Sequence, residues 1–202
     1  MHKIILIGAG GHAKSCIDVI KSTNNYKILG ILDKKKRGNF GKIKILGNEN
    51  FLNNLKKKRN INIVITIGQI KSPNLRKKLF KKVKSLKLNL PKIISKYSIV
   101  SKDTFIEEGT MVFHNVIINS GTRVGKNTII NTSALLEHDV IVGNNCHIST
   151  GSILNGNVKV GNDTFIGSGS IVREGVKIGS NCIIGMGSII KKNVRSFSVI
   201  KK

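Results

Sequence analysis

The stretch Ile99–Val116 reads IVSKDT-FIEEGT-MVFHNV, and the same six-residue pattern continues without insertion through sixteen hexads to Val194. The second position is Val, Ile or Leu in all sixteen. The sixth is always Thr, Ser, Ala, Val or Cys, and the fifth is always Gly, Asn, Asp or Ser. A period of six does not follow the 3.6-residue turn of an amphipathic helix. A flat sheet or a sandwich would space its turns more widely. Aliphatic side chains at position two point inward and stack, and the small residue at position six fits the tight interior beside them. Gly, Asn and Asp at position five tolerate the left-handed backbone that a sharp turn needs. Three short strands and three turns make one triangular coil of eighteen residues. Sixteen hexads therefore give a little over five coils of a parallel β-helix.

Upstream, KIILIGAGGHAKSCIDVIKS reads as strand, glycine turn and helix, with Ile4–Ile7 as a buried strand. Cys16, Ile17, Val19 and Ile20 lie at helical spacing. Gly8, Gly10 and Gly11 let the backbone approach a phosphate, and the helix N-terminus behind them favours negative charge. YKILGILDKKK is a second strand ending in Asp33, where a ribose hydroxyl is often received. INIVITIGQ is a third strand ending in Gly68, SPNLRKKLFKKVKSL a second helix, and NLPKIISKYSIV leads into the coils. A full dinucleotide domain needs about twice this length of α/β units, so a mononucleotide or nucleotide sugar fits better than NAD. The expected architecture is a Rossmann-like α/β domain over residues 1–90 followed by a β-helix over residues 91–202.

The formal charge of +25 is unevenly spread: residues 1–98 hold 24 Lys/Arg against 3 Asp/Glu, and residues 99–202 hold 11 against 7. The runs DKKKRG, LKKKRN and RKKLFKKVKSLK all lie in the first half. With 4% aromatic residues, stacking platforms for bases are scarce, and the charge reads as a solvated surface rather than a nucleic-acid interface. No apolar run approaches the roughly 20 residues needed to span a bilayer. The start, MHKIILIGAGGH, lacks the features of a signal peptide. Cys16, Cys146 and Cys182 are odd in number and show no metal-like spacing, which points to a reducing, cytoplasmic setting without a metal. An oxidoreductase built on the glycine turn and a basic β-helical scaffold are the rival readings.

The hexads resemble the left-handed β-helix of the hexapeptide acyltransferases. Left-handedness comes from that resemblance, since ordinary crossovers are right-handed. GAGGHAKS together with the hexad LLEHDV is similar to a narrower group, the sugar acetyltransferases of the UDP-N-acetylbacillosamine N-acetyltransferase and sialic acid O-acetyltransferase type. The resemblance covers nearly the whole chain. It implies a homotrimer with acetyl-CoA as co-substrate, carried between neighbouring helices. It implies that Gly10, Gly11 and His12 line a nucleotide-sugar site completed by Asp33, Gly68 and Arg76. It further implies that His138 is the catalytic base and that His147 touches acetyl-CoA. The expected reaction is N-acetylation of a nucleotide-activated amino sugar, with O-acetylation of sialic acid or another glycan sugar as the alternative. Members commonly close with a GxPA-like segment, from which VRSFSVIKK departs.

The residues themselves support this chemistry. His138 stands at position four, beside a turn, so its ring should reach the outer surface. Imidazole ordinarily titrates near pH 6.5, so a neutral ring is available as a base. Asp139, with Glu137 as the fallback, would orient it. Gly156 follows one coil later and should lie directly above or below His138, with room for a thioester and an N–H for the oxyanion. Asn131 could help to fix the substrate. His147 is expected to present an outward ring, and Gly167, Ser168, Gly185 and Met186 to follow a CoA arm. His114 lacks an acidic neighbour and reads as surface or subunit interface, and no Ser or Cys has the partners of a covalent nucleophile.

Overall fold

The computed structural model describes residues 1–55 and 60–201, so the run Lys56–Arg59 lies outside the described residues. The chain divides into two compact units. Met1–Gly68 and Asn74–Pro91 form the first, and Gln69–Pro73 and Lys92–Lys202 the second.

The first unit is built on strands β1 (His2–Ile7), β2 (Tyr26–Leu32), β3 (Asn39–Phe40), β4 (Ile43–Gly47) and β5 (Ile61–Ile65), in the order β3-β4-β2-β1-β5. All neighbours pair in parallel except β3 with β4, a short hairpin that the sequence reading missed, as it did the 3-10 helix Glu49–Leu55. Helix α1 (Gly11–Ser22) buries Ala13, Cys16, Ile17, Val19 and Ile20. Helix α2 (Asn74–Ser85) buries Leu79 and Val83 and, unexpectedly, Arg76. The order reverses between β1 and β5, and a crevice at the carboxyl ends of strands on either side of such a switch is the usual ligand site of an open α/β sheet. Strand β5 stops at Ile65, so Gly68 sits on the loop beyond it rather than at the strand end.

The second unit is a triangular prism. Two-residue strands eighteen positions apart pair in parallel on three faces: Ile117↔Leu135 on the first, Arg123↔Ile141 on the second and Ile129↔His147 on the third. Position two is buried in every hexad except the first, whose Val100 is half-buried. Burying each such aliphatic side chain contributes on the order of 1.5–3 kcal/mol. Fourteen of the sixteen position-five residues have positive φ, among them Asp139 at 60° and Gly121 at 70°; Asp103 and Asn193 are the two that do not.

Position six supplies an interior hydrogen-bond ladder. Thr128 Oγ1 donates to the Gly143 carbonyl and accepts from the Cys146 amide, and the Cys146 thiol then donates to the Gly161 carbonyl. The helix starts one hexad earlier than Ile99, because Ile93–Ile94 already pairs with Met111–Val112. It also loses phase at the end. Val194 bridges Ile178, sixteen residues back, so the sixteenth hexad does not complete its corner.

Candidate active site

His138 stands on the corner between the first and second faces. Its Nδ1 lies 2.8 Å from Asp139 Oδ2, and both side chains are about two-thirds exposed, at 64% and 66%. Asp139 takes this position because its left-handed backbone turns the carboxylate back over Gly121, where a Cβ would stand 2.5 Å from Oδ1. Glu137 is not the partner: its carboxylate accepts from Asn119 Nδ2 at 2.8 Å. A carboxylate on Nδ1 favours the tautomer with the proton there, which leaves Nε2 as the basic nitrogen. Nε2 lies over Gly156, where a Cβ would stand only 2.6 Å away. The amide of Asn157 donates to the His138 carbonyl at 2.9 Å and locks the two coils in register.

This corner forms one wall of an open cleft of about 620 Å³ that also includes Arg123, Asn157 and Lys159. The sequence reading passed over Arg123 and Lys159. The signal was present, since they open hexads thirty-six residues apart and so share one face, two coils apart.

His147 corrects its expectation. The ring leaves the coil but is only 5% exposed, because Gln69 covers it. Nδ1 faces the Gln69 carbonyl, and Nε2 lies 3.2 Å from Asn131 Nδ2. Phe165 packs edge-on, with ring centroids 5.3 Å apart. Gln69 is held in turn by its Nε2 donating to the Asn145 carbonyl at 2.8 Å. Asn131 thus orients His147 and also accepts from the Thr132 amide at 2.9 Å. Ser168 and Met186 are exposed on the corner between the third and first faces, where Ser168 Oγ shares a 2.9 Å hydrogen bond with Ser149. Gly167 is dictated by packing: a Cβ there would meet the Met186 amide at 2.5 Å. Gly185 lies one coil further along the same corner and accepts from Ser170 Oγ at 2.9 Å.

In the first unit, Gly8 adopts φ 109° beside Ile67, and its carbonyl accepts from Thr66 Oγ1 at 2.6 Å. Gly10 caps α1 without a side-chain bond, and Gly10 and Gly11 have open space where a Cβ would project. His12 packs against Gly68, where a Cβ would stand 3.5 Å from the ring. Asp33 ties the glycine turn to the end of β2. Oδ2 accepts from the Ala9 amide at 2.8 Å, and Oδ1 from the Lys35 and Lys36 amides at 2.9 Å each. Partial burial alone would raise its pKa, but these amides and the Lys36 charge outweigh it and hold the carboxyl below its ordinary range. Beside it lies a pocket with Glu49, Ile67, Leu75 and Leu79 in its walls.

Arg76 requires a correction. It is 1% exposed, and its guanidinium donates to the Ile65 carbonyl at 2.9 Å and the Ile67 carbonyl at 2.7 Å. Burial lowers its pKa to about 10. It holds the β5 loop from beneath, where a ligand contact was expected.

Two families of known sequences match this chain: the PglD N-terminal domain over residues 3–83, and the bacterial transferase hexapeptide repeats over residues 157–192. A histidine-to-asparagine variant of perosamine N-acetyltransferase from Caulobacter crescentus, solved with CoA and GDP-perosamine, is 30% identical. It superposes with a TM-score of 0.91 over 98% of this chain and 93% of that one. The chain belongs to the hexapeptide-repeat sugar acetyltransferases. The acetyltransferase domain of PglB from Neisseria gonorrhoeae, solved with acetyl coenzyme A, gives 0.92 at 26% identity over 98% and 95%. WeeI from Acinetobacter baumannii, at 20% identity and 0.87 over 100% and 97%, shares the fold. No curated protein matches at a significant level. The coils of this acetyltransferase are thus those of a left-handed parallel β-helix, joined to a Rossmann-like α/β unit. Among the described residues no helix is long and apolar enough to cross a membrane, and no cluster of three or more His, Cys, Asp or Glu residues could hold a metal ion.

Proposed function

We propose that this chain transfers the acetyl group of acetyl-CoA to the amine of a nucleotide-activated amino sugar, with His138 as general base. One observation carries the reading: Nδ1 of His138 faces Asp139, which leaves Nε2 free above Gly156 in an open cleft. As the sugar nitrogen attacks the thioester carbonyl, one of its protons passes to Nε2, and Asp139 stabilises the imidazolium. The tetrahedral oxyanion lies near the Gly156 N–H, to which no acceptor is assigned among the described residues. Collapse breaks the C–S bond, and the imidazolium returns its proton to the CoA thiolate. Acetylated sugar and CoA are released.

Gly10, Gly11, His12, Asp33 and Gly68 form the nucleotide-sugar site of this proposal. Asp33 receives a hydroxyl on the lone pairs its backbone contacts leave, and Leu75 and Ile67 offer apolar walls for a base. Ser168 and Met186 accompany the pantetheine arm, while His147 and Asn131 brace that wall through Gln69. The relative solved with CoA and GDP-perosamine supports both ligands. Self-association as a trimer is supported by the outward column Ile99, Ile117, Leu135, Ile153, Ile171 and Ile189, of which Ile99 is 67% and Ile189 65% exposed.

The test is a thiol-release assay with acetyl-CoA and a panel of GDP- and UDP-linked amino sugars. Turnover with at least one member is expected, falling by about 10²–10⁴-fold in His138→Ala. Full turnover in that variant would remove His138 from the chemistry.

A further inference from the structure

Residues 1–98 hold three acidic side chains, Asp18, Asp33 and Glu49, against 24 Lys and Arg, and two of the three line a single pocket. Asp18 is exposed on α1. Asp33 is accounted for by the amides it accepts from. Glu49, half-buried at the start of the 3-10 helix after β4, has no such duty. That helix start is served by Asn48, whose Oδ1 accepts from the Asn50 amide at 2.9 Å and whose carbonyl accepts from the Phe51 amide at 3.1 Å. Lys34 and Lys35 share the pocket, yet among the described residues no hydrogen bond or ion pair holds the Glu49 carboxylate.

The sheet sets this carboxylate in line with the glycine turn and Asp33. Across it the strands run β5, β1, β2, β4. At their carboxyl ends the glycine turn follows β1, Asp33 follows β2, and Glu49 comes two residues after β4. The Asp33 amide donates to the Gly47 carbonyl at 2.8 Å and ties the ends of β2 and β4 together. Neighbouring strands lie about 4.8 Å apart, so the three groups stand at successive steps of that order along one edge. A nucleotide with its phosphates at the helix N-terminus and its ribose at Asp33 therefore brings its base to Glu49. The walls there are apolar. Leu79, Leu52 and Leu55 share one core cluster, and Lys82 Nζ donates to Asn50 Oδ1 at 3.3 Å, so α2 and the 3-10 helix cover the same face. Leu75, one turn ahead of Leu79, is 55% exposed and lines the pocket with Ile67. At about 260 Å³ the pocket is smaller than the roughly 300–1,000 Å³ that encloses a whole drug-sized ligand, which suits one end of a nucleotide.

We propose that Glu49 reads the base of the nucleotide sugar and selects guanine. The inference rests on the nucleotide-sugar reading above and deepens it by naming the substrate class, a guanosine-diphosphate-linked sugar. An ionised carboxylate only accepts hydrogen bonds, and it accepts two in parallel. Guanine presents two adjacent donors on one edge, N1–H and the 2-amino group, which match the two oxygens. Uracil presents N3–H alone, flanked by two carbonyl oxygens whose lone pairs face the carboxylate. Adenine and cytosine present one amino group beside a ring nitrogen that also accepts. Leu75 and Ile67 cover a flat ring without regard to its identity, so discrimination falls to the edge that meets Glu49. A site built around such a pairing rejects a base that lacks it, because its buried polar group is then left without a partner.

The experiment titrates GDP, IDP, UDP and ADP into the full chain and into its Glu49→Gln variant by calorimetry. IDP is GDP without the 2-amino group, so comparing the two on the unmodified protein removes one donor and needs no variant. GDP is expected to bind about tenfold or more tighter than each of the other three, as the loss of a hydrogen bond to a charged group implies. In Glu49→Gln the amide can accept from one guanine donor but turns its own N–H groups on the other. The preference of GDP over IDP should then disappear while UDP still binds, and the thermal midpoint should stay put because nothing described packs on that carboxylate. Equal binding of GDP and IDP by the unmodified protein, tighter binding of UDP or ADP, or a GDP preference that survives in Glu49→Gln would each overturn the proposal. So would the lack of measurable binding by all four. Selective, Glu49-dependent GDP binding without thiol release on any GDP-linked amino sugar would uphold the base assignment while sinking the acetyl-transfer reading. Thiol release with UDP-linked sugars and no preference for GDP would do the reverse.

Discussion

Replacing Gly156 with alanine separates geometry from stability at the catalytic corner. The new Cβ would lie 2.6 Å from His138 Nε2 and 2.8 Å from Cε1. Unstrained contacts of this kind are near 3.5 Å, so the ring has to retreat by roughly 1 Å. A displacement of that size can cost about 10²-fold in rate, or about 2.7 kcal/mol of barrier. The fold should barely respond. Gly156 does not occupy the left-handed region, and the His138 side chain is 64% exposed and free to swing. Alanine also restricts the unfolded chain, which is worth about 0.4–1 kcal/mol towards stability. The expected outcome is a kcat lowered about 10²-fold in the thiol-release assay, with urea-unfolding stability within about 1 kcal/mol. Combined with His138→Ala, the substitution should cost almost nothing more, because both act on one group. An alanine variant with undiminished kcat would refute the placement of Nε2 over Gly156, and a full additional loss in the double variant would refute the shared mechanism.

Asp139→Asn keeps the shape but can put the proton on the wrong imidazole nitrogen. We expect kcat to fall about 10²-fold or more with a changed pH–rate profile, whereas Glu137→Gln should leave that profile alone. Arg76→Met strands the Ile65 and Ile67 carbonyls, at about 1–3 kcal/mol each, so urea unfolding should show a loss of roughly 2–6 kcal/mol. Burial pushes the thiols of Cys16 and Cys146 up to about 12, and all three cysteines are fully buried. Iodoacetamide at pH 8 should therefore label none of them in the native protein and all three after denaturation, as mass spectrometry would read directly.

The β-helix was legible because its rule is strictly periodic: one inward aliphatic, one small interior residue and one turn former in every six. The same ruler placed Gly156 beside His138. It could not show that Gln69, seventy-eight positions before His147, would cover that ring, because such a contact depends on a loop outside the repeat. Arg76 failed for a related reason. Nothing in RKKLFKK distinguishes the one cation turned inward from its solvated neighbours until the carbonyls ending β5 are in place. The sequence offered both Asp139 and Glu137 beside the imidazole, and the reason to prefer Asp139 emerged only with Gly121, whose missing side chain makes space for the carboxylate.

Wherever position six carries a hydroxyl or thiol, the ladder ties one coil to the next, and this gives the molecule a geometric grammar. Inserting one hexad ahead of His138 would carry its imidazole a third of the way round the prism, onto a face with different neighbours. Inserting eighteen residues would keep its compass bearing and raise it by a single step of about 4.8 Å. A lineage that lengthens or shortens the coils ahead of this imidazole can therefore move it along the prism in whole steps. A change out of multiples of three hexads would point the chemistry in another direction altogether.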